Sequence, residues 1–306
     1  RYDSYKDGQT IELEWINGPI TAKIIKDPEM DMEFGTGVMT ITPAHSVVDF
    51  EMAERHKLDV DKIIDLRGIL LPIAGEFTGQ HIKKAREAII EKLQKKGLVD
   101  KIDENYVHNI ATAERTGGIV EPQIMLQWFV DVDKKFTIPR SEIPGIESGS
   151  ETTLKEIMRH SVDSGAIKIT PSNFENVYYN WIDNLRPWCI SRQIWFGHRI
   201  PVWYKGNEIF CGKEAPAGTD WMQDPDVLDT WFSSALWTFS TLGWPENTMD
   251  LKTYHPTSVL ETGYDIIFFW VARMILMSGF LLGQVPFKKV YLHGLVRDGQ
   301  GRKISK

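Results

Sequence analysis

One long apolar run near the end of the chain restricts the fold more than any other feature. It extends from Ile266 to Leu282 and carries Arg273 near its centre. A membrane-spanning helix needs about 20 apolar residues, and a charged side chain at the bilayer centre is costly. We therefore interpret the run as a helix buried in the core of a globular protein, and we expect no membrane association.

The residues after this run predict a parallel sheet. The β-rich stretch from Lys289 to Leu292 follows the apolar helix and leads into His293 and Gly294. A helix followed by a strand that ends near a glycine is typical of the later part of a parallel α/β sheet.

The first part of the chain has a different pattern. Short β-rich runs between Gln9 and Ile41 are separated by Asn17-Gly18-Pro19 and Asp27-Pro28, which is typical of strands joined by turns. A short helix is predicted from Asp49 to His56 and a longer one from Gly79 to Leu98. This region predicts a small β-rich α+β unit.

The chain is long enough for two domains. It has 306 residues, 42% of them hydrophobic, and a polar irregular stretch from Tyr106 to about Val130 separates the two patterns. We predict one domain at 1–125 and a second at 126–306. A further helix is expected from Ser150 to Ser164.

Cysteine content and charge exclude several classes of protein. The only cysteines are Cys189 and Cys211, which lie far apart, so the sequence predicts a reducing, cytoplasmic compartment and no zinc site. The formal net charge of -7 gives no general attraction to nucleic acid. Any contact with RNA must come from local clusters of basic residues.

The last residues form a glycine-flanked basic loop. Lys303 and Lys306 stand three residues apart around Ser305, after the predicted strand end. Two ammonium groups on a mobile loop can neutralise the charge that develops on a polyphosphate leaving group. A solvated basic loop explains the same residues if they are considered alone.

Two neighbouring segments offer a nucleotide site. Gly263 and Asp265 lie at the start of the apolar helix, where backbone N–H groups and a carboxylate can hold a ribose and an adenine. His293, Gly294 and Val296 offer a second close approach of the backbone. Each residue also has a structural explanation, such as a helix cap, a satisfied histidine or a turn.

An earlier block has the residues for holding an aminoacyl group. Thr42 has a hydroxyl that can position water, and the Asp49 carboxylate can pair with an α-ammonium group. A turn into a helix capped near Ser46 is the alternative. The glycine-containing part of the block is Phe34, Gly35, Thr36 and Gly37.

The order of these blocks resembles that of class I valyl-tRNA synthetases, and the likeness covers essentially the whole chain. Isoleucyl enzymes usually have Trp-Phe-Asp-Ser-Gly where this chain has Trp231 to Ala235, which favours valine. The blocks that carry the resemblance are Trp188 to Gln193, Gly197 to Trp203, Asp226 to Trp237, Gly263 to Met274 and the lysine tail.

The resemblance implies a fold and a division of the chain. Residues 126–306 would be the second half of a Rossmann-type α/β catalytic domain, ending at the lysine signature loop of the KMSKS type. Residues 1–125 would be part of a β-rich α+β editing (CP1) domain. The chain is thus expected to be an internal piece of a synthetase, inactive on its own.

The resemblance also implies an activity and its residues. The parent would ligate valine to tRNA(Val) through valyl-adenylate, using ATP with Mg2+. The adenosine site would be lined by Gly263, Asp265 and His293 to Val296. Lys303 and Lys306 would act on ATP, and aromatic side chains would wall the valine pocket. Those aromatic side chains are Trp195, Phe196 and Trp231; core packing is the alternative for each tryptophan.

Editing is the second implied activity. An apolar site fitted to valine cannot strongly reject threonine, a near-isostere with a hydroxyl, so a second site must hydrolyse threonyl-tRNA. The resemblance assigns Phe34 to Gly37, Thr42 and Asp49 to that pocket. Thr40 and Ser46 stand where the family commonly has Lys and Asp, which leaves the pocket less charged.

Other functions remain open from the sequence. The chain could belong to an isoleucyl-type synthetase, to a free-standing deacylase, or to a non-catalytic tRNA-binding paralogue. The lysine loop argues against the last two, because neither needs a group that acts on ATP.

Overall fold

A computed structural model describes residues 2–113 and 116–304 of the chain. The chain divides into two compact units, Arg1–Leu126 and Gln127–Lys306. Each unit is described by itself.

The first unit contains a hairpin and two helices around a small core. The hairpin pairs Trp15 with Gly18 across a two-residue turn, which confirms the first two predicted strands, whereas residues 28–41 form turns and no strand. Ile82 and Ile89 of the longer helix pack with Ala85 against Leu70 and Phe77. The elements are β1 (Thr10–Trp15), β2 (Gly18–Lys23), α1 (Val47–His56), a 3-10 turn (Pro72–Phe77) and α2 (Ile82–Lys95).

The helices of this unit differ in length from the sequence prediction: α1 is two residues longer at its start, and α2 is shorter at both ends. Helix α1 begins at Val47 because the Ser46 hydroxyl caps it by accepting the backbone N–H of Asp49. Helix α2 begins at Ile82, where the His81 ring takes the cap position, and it stops before Gly97, whose φ is +70°.

The second unit is built on a three-stranded parallel sheet. Its strands pair in parallel, as the helix-then-strand pattern predicts, in the order β13-β14-β6. The other strands of this unit form short, separate antiparallel sheets. The elements are β3 (Phe129–Val130), β4 (Phe136–Thr137), β5 (Glu151–Thr152), α3 (Leu154–Asp163), β6 (Lys168–Thr170), α4 (Asn173–Asp183), β7 (Trp188–Cys189), β8 (Ser191–Arg192), β9 (Val202–Lys205), β10 (Glu208–Cys211), β11 (Met222–Gln223), β12 (Val227–Leu228), α5 (Thr230–Ser234), α6 (Trp237–Ser240), α7 (Met249–Tyr254), β13 (Leu260–Gly263), α8 (Arg273–Leu282) and β14 (Lys289–His293).

Helix α3 starts four residues later than predicted. Glu151–Thr152 pairs with Phe136–Thr137 as a strand, so the helix cannot begin before Leu154. Thr153 and Glu156 then form a reciprocal capping box at its first turn.

The apolar run is one continuous helical segment in which three types of helix follow one another. It begins as a 3-10 turn at Tyr264–Ile266, widens into a π-helix at Ile267–Ala272 and continues as α8. Its length and composition would allow it to cross a membrane, but 61% of its most apolar 18-residue stretch is buried within the protein. Met274, Ile275 and Leu276 lie in the core of the second unit, as expected for a core helix.

Candidate functional site

The carboxyl ends of two neighbouring strands bring together the residues predicted to bind a nucleotide. Strands β13 and β14 run parallel, and Gly263 lies opposite His293 in their register. Open α/β sheets bind ligands outside the carboxyl ends of their strands. Sequence positions 30 residues apart are therefore neighbours at the edge where a ligand is expected.

Three neighbouring side chains lie close to the backbone of Gly263, so a side chain at this position would require the nearest of them to shift. A Cβ atom there would lie 2.7 Å from Asp265 Oδ1, 3.1 Å from Leu295 Cδ2 and 3.8 Å from His293 Cε1. Glycine therefore lets a carboxylate and an imidazole approach one backbone position. His293 Nε2 also lies 3.3 Å from Glu261 Oε1.

The lysine loop folds back on itself and returns to this edge. Asp298 accepts backbone N–H groups from Gln300 and Arg302 at 2.9 Å each, and the hydrogen bonds from Arg302 hold the pKa of Asp298 below its usual range. The backbone N–H of Ile304 donates to the Val296 carbonyl at 3.1 Å. A closed hairpin thus follows the end of β14.

One lysine of the loop reaches the strand edge. Lys303 Nζ lies 2.5 Å from Asp265 Oδ2. Lys306, the other predicted lysine, lies outside the described residues. Gly294 and Val296 border open space: nothing lies within 4 Å of a Cβ added at Gly294, and Val296 is exposed.

Two residues that the sequence reasoning did not single out also belong to this edge. Arg297 donates to the Tyr264 hydroxyl at 3.2 Å, and the Tyr264 ring stacks on Phe174 at 5.6 Å between centroids. Tyr264 stands between Gly263 and Asp265 in the sequence, so its position was the available signal.

The three aromatic residues predicted for the amino-acid pocket have different environments. Trp231 is half-buried on α5 and stacks on Phe269, with ring centroids 6.0 Å apart. Trp195 and Phe196 are 96% and 87% exposed. Within the described residues, no ring contact joins either of them to Trp231.

A buried carboxylate fixes the turn that carries Trp231. Asp229 accepts the backbone N–H of Trp231 at 3.1 Å on Oδ1. Its Oδ2 accepts the indole N–H of Trp188 at 3.0 Å and the Arg192 guanidinium at 2.8 Å. The sequence blocks contain these residues, but their spacing does not show that they meet.

In the first unit, the predicted aminoacyl-binding residues Thr42 and Asp49 are in direct contact. Asp49 is buried, and its Oδ2 accepts the backbone N–H of Thr42 at 2.6 Å. Its Oδ1 accepts no hydrogen bond from any residue that the structure describes. The Ser46 cap is present as well, so the capping interpretation and the carboxylate contact hold together.

The glycine-containing block lies on exposed turns. Phe34 is exposed, and Gly35 and Gly37 both have positive φ angles, +57° and +73°. Thr36 accepts the Tyr2 hydroxyl on its backbone oxygen at 2.9 Å.

Two further side chains hold this unit together and were missed by the sequence reasoning. Asp27 accepts hydrogen bonds from Arg55 and His56, and the Arg55 contact holds the pKa of Asp27 well below its usual range. His45 Nδ1 lies 3.1 Å from the Pro122 carbonyl, while its Nε2 accepts the backbone N–H of Ile63 at 3.0 Å.

Metal ligands are sparse in residues 2–113 and 116–304. No group of three or more His, Cys, Asp or Glu side chains there could hold a metal ion. Cys211 lies exposed on β10.

The sequence model of the family described as tRNA synthetases class I (I, L, M and V) matches residues 5–219 and 214–306. The chain therefore belongs to the class I tRNA synthetases.

Within that family, valine--tRNA ligases are similar to this chain. It is 44% identical over 306 residues to the valine--tRNA ligase of Streptococcus pyogenes serotype M1, which covers 99% of this chain and 32% of that protein. It is 45% identical over 291 residues to the enzyme of Clostridium acetobutylicum, which covers 92% and 31%. The chain thus spans about a third of the length of the curated relatives it matches.

Solved structures of other synthetases are more distantly similar. Mycobacterium tuberculosis methionyl-tRNA synthetase in complex with methionyl-adenylate is 17% identical, with a TM-score of 0.36, over 56% of this chain and 32% of that one. The apo form is 14% identical, with a TM-score of 0.38, over 81% and 44%.

Proposed function

We propose that the full-length protein ligates valine to tRNA(Val) in the cytoplasm, using ATP with Mg2+ and forming valyl-adenylate. The observation that carries this proposal is the convergence of Gly263, Asp265 and His293 at the carboxyl edge of the parallel sheet, with Lys303 on the same carboxylate. Similarity to valine--tRNA ligases supports valine as the amino acid.

The first chemical step joins valine to ATP. The valine carboxylate attacks the α-phosphorus, a new P–O bond forms, and the α–β phosphoanhydride bond breaks to release pyrophosphate. Asp265 and the backbone from His293 to Val296 would hold the adenosine. Lys303 and Lys306 would neutralise the charge that builds on the phosphates, and Mg2+ would bind the phosphate oxygens.

The second step transfers valine to tRNA. A hydroxyl of the terminal ribose attacks the carbonyl carbon of valyl-adenylate, and AMP leaves. Trp231, Trp195 and Phe196 would wall the valine side chain. No role is assigned to zinc.

We also propose that residues 1–125 hydrolyse threonyl-tRNA, while residues 126–306 belong to the catalytic domain. The support for editing is Asp49, a buried carboxylate with one oxygen on the backbone of Thr42 and the other without a protein partner among the described residues. That oxygen is suited to an α-ammonium group, and Phe34 to Gly37 would line the same pocket.

ATP-pyrophosphate exchange by the full-length protein tests the synthetic activity. Valine should support exchange far better than isoleucine or threonine. Exchange with isoleucine alone would indicate an isoleucyl-type enzyme, and no exchange with any amino acid would indicate a non-catalytic paralogue.

A matched pair of variants tests the nucleotide site. A hydrogen bond to a charged group is worth about 1.5–3 kcal/mol, so Asp265→Asn should raise the KM for ATP roughly ten- to hundredfold. Asp250→Asn removes an exposed carboxylate from α7 and should leave the KM for ATP unchanged. Equal KM values for the two variants would contradict the proposed role of Asp265.

A further inference from the structure

Arg273 is a buried cation that the proposed chemistry does not use. It is only 7% exposed at the start of α8, and its Nε and Nη1 atoms find no hydrogen-bond partner in the described part of the chain. Its guanidinium carbon lies 3.5 Å from the centroid of the Trp188 ring and 4.9 Å from that of Phe268. Burial lowers the pKa of Arg273 to about 10.

Core packing alone does not account for this arginine. Burying a charge without hydrogen-bond partners is costly, and a packed apolar side chain of similar volume is often as stable or more so. The two aromatic faces offset part of that cost through their negative π surfaces. A cation that lies against a ring can also strengthen the hydrogen bond that the ring donates to another residue.

The ring under Arg273 contacts the carboxylate that fixes the wall of the proposed amino-acid pocket. Trp188 donates its indole N–H to Asp229 Oδ2 at 3.0 Å. A cation on the π face draws electron density from the indole, which makes its N–H a stronger donor. Arg192 donates to the same oxygen at 2.8 Å, and Asp229 and Arg192 are the charged groups that act on Arg273 in this site.

Asp229, held by Trp188, in turn binds the start of α5. Its other oxygen, Oδ1, accepts the backbone N–H of Trp231 at 3.1 Å and so fixes the first turn of the helix. The Trp231 ring then stacks on Phe269. A path of direct contacts therefore runs from the guanidinium to Trp231.

We propose that Arg273 is a positioning residue for amino-acid specificity: through Trp188 and Asp229, its charge holds Trp231 at the wall of the pocket. This inference rests on the proposed function, because it takes Trp231 as part of that wall. It predicts that loss of the charge loosens the amino-acid site and leaves the ATP site unchanged.

The test uses the full-length protein with two substitutions and a control. Arg273→Met removes the charge and keeps a flexible apolar side chain, while Arg273→Lys keeps a charge that burial makes titratable. Arg159→Met is the matched control, because the Arg159 guanidinium also lies over a ring, that of Tyr179 at 5.2 Å, but has no contact with Asp229.

The readout is the KM for valine and for ATP in pyrophosphate exchange, from about pH 7 to about pH 9.5. Arg273→Met should raise the KM for valine about tenfold, with the KM for ATP unchanged. A buried lysine has a lowered pKa, so Arg273→Lys should resemble the parent at the lower pH and the Met variant at the higher pH. In the parent and in Arg159→Met, the KM for valine should neither rise nor change between the two pH values.

Several results would overturn the inference. These are an unchanged KM for valine in Arg273→Met, an equal rise in both KM values, or a Lys variant that follows the Met variant at every pH. If Arg273→Met does not fold, the pH dependence of Arg273→Lys still decides. If the unsubstituted parent does not activate valine, the proposed function is refuted. That result differs from all of those above, in which the parent is active.

Discussion

Gly283 is the position at which a single methyl group should cost the second unit most. It ends α8 with a φ of +67°, a left-handed conformation that side chains rarely adopt. A Cβ added there would lie 2.0 Å from the carbonyl oxygen of Arg140 and 3.1 Å from Ser141 Cα. These are backbone atoms, and the segment is also tied down because Glu142 N–H donates to the Gly283 carbonyl at 2.7 Å.

Two effects add up in Gly283→Ala. The left-handed conformation costs an alanine about 1–2 kcal/mol, and forcing atoms into packed structure typically costs about 1–3 kcal/mol more. The free energy of unfolding should therefore fall by about 2–5 kcal/mol, out of the roughly 5–15 kcal/mol that stabilises a typical protein.

Gly165→Ala separates the two effects. Gly165 has a φ of +76°, but nothing lies within 4 Å of an added Cβ, so this variant should lose only the conformational part. Urea titration followed by tryptophan fluorescence reports the second unit, since every tryptophan except Trp15 lies in Gln127–Lys306. Equal midpoint shifts for the two variants would refute the predicted collision with Arg140.

Three further predictions concern pH dependence, editing and catalysis. Burial lowers the pKa of His255 below its ordinary value of 6.5, so the unfolded chain binds a proton at this histidine more readily than the folded chain does. The free energy of unfolding should therefore fall as the pH drops below 6.5, and it should fall less in His255→Gln. Urea titrations near pH 7.5 and pH 5.5 measure this difference. Asp49→Ala should leave valine activation nearly intact but abolish deacylation of pre-formed threonyl-tRNA, and equal deacylation rates in variant and parent would mean that Asp49 only supports the start of α1. Lys306→Ala should lower the rate of valyl-adenylate formation by about 10² or more, with little change in valine binding, because its charge acts mainly in the transition state; an unchanged rate would reduce the loop to a solvated surface feature.

Local sequence patterns determined several of the regular elements. Alternating β-rich residues around a two-residue turn specify β1 and β2, and apolar residues at helical spacing specify α2. The strand Lys289–His293 after an apolar helix specified a parallel sheet. Such patterns depend on residues that are close together in the chain. They therefore predict a strand or a helix without knowledge of what that strand or helix packs against.

Sequence order also gave the family, because five blocks in one order are specific even though each is weak alone. It placed Gly263, Asp265 and His293 among the candidate residues, and parallel pairing of β13 with β14 then made them neighbours. That pairing follows from a general rule for α/β sheets, which is why this part of the site was predictable.

Only the tertiary structure decided which distant side chains meet. The sequence predicted one regular helix for the apolar run. In the structure, residues Ile267–Ala272 form a π-helix, and aromatic rings of this stretch pack against Trp181 and Trp231. The contact of Arg273 with Trp188, and of Trp188 with Asp229, joins residues far apart in the chain. Local propensity and spacing carry no record of such contacts, because they are fixed by how the helices and strands pack in space.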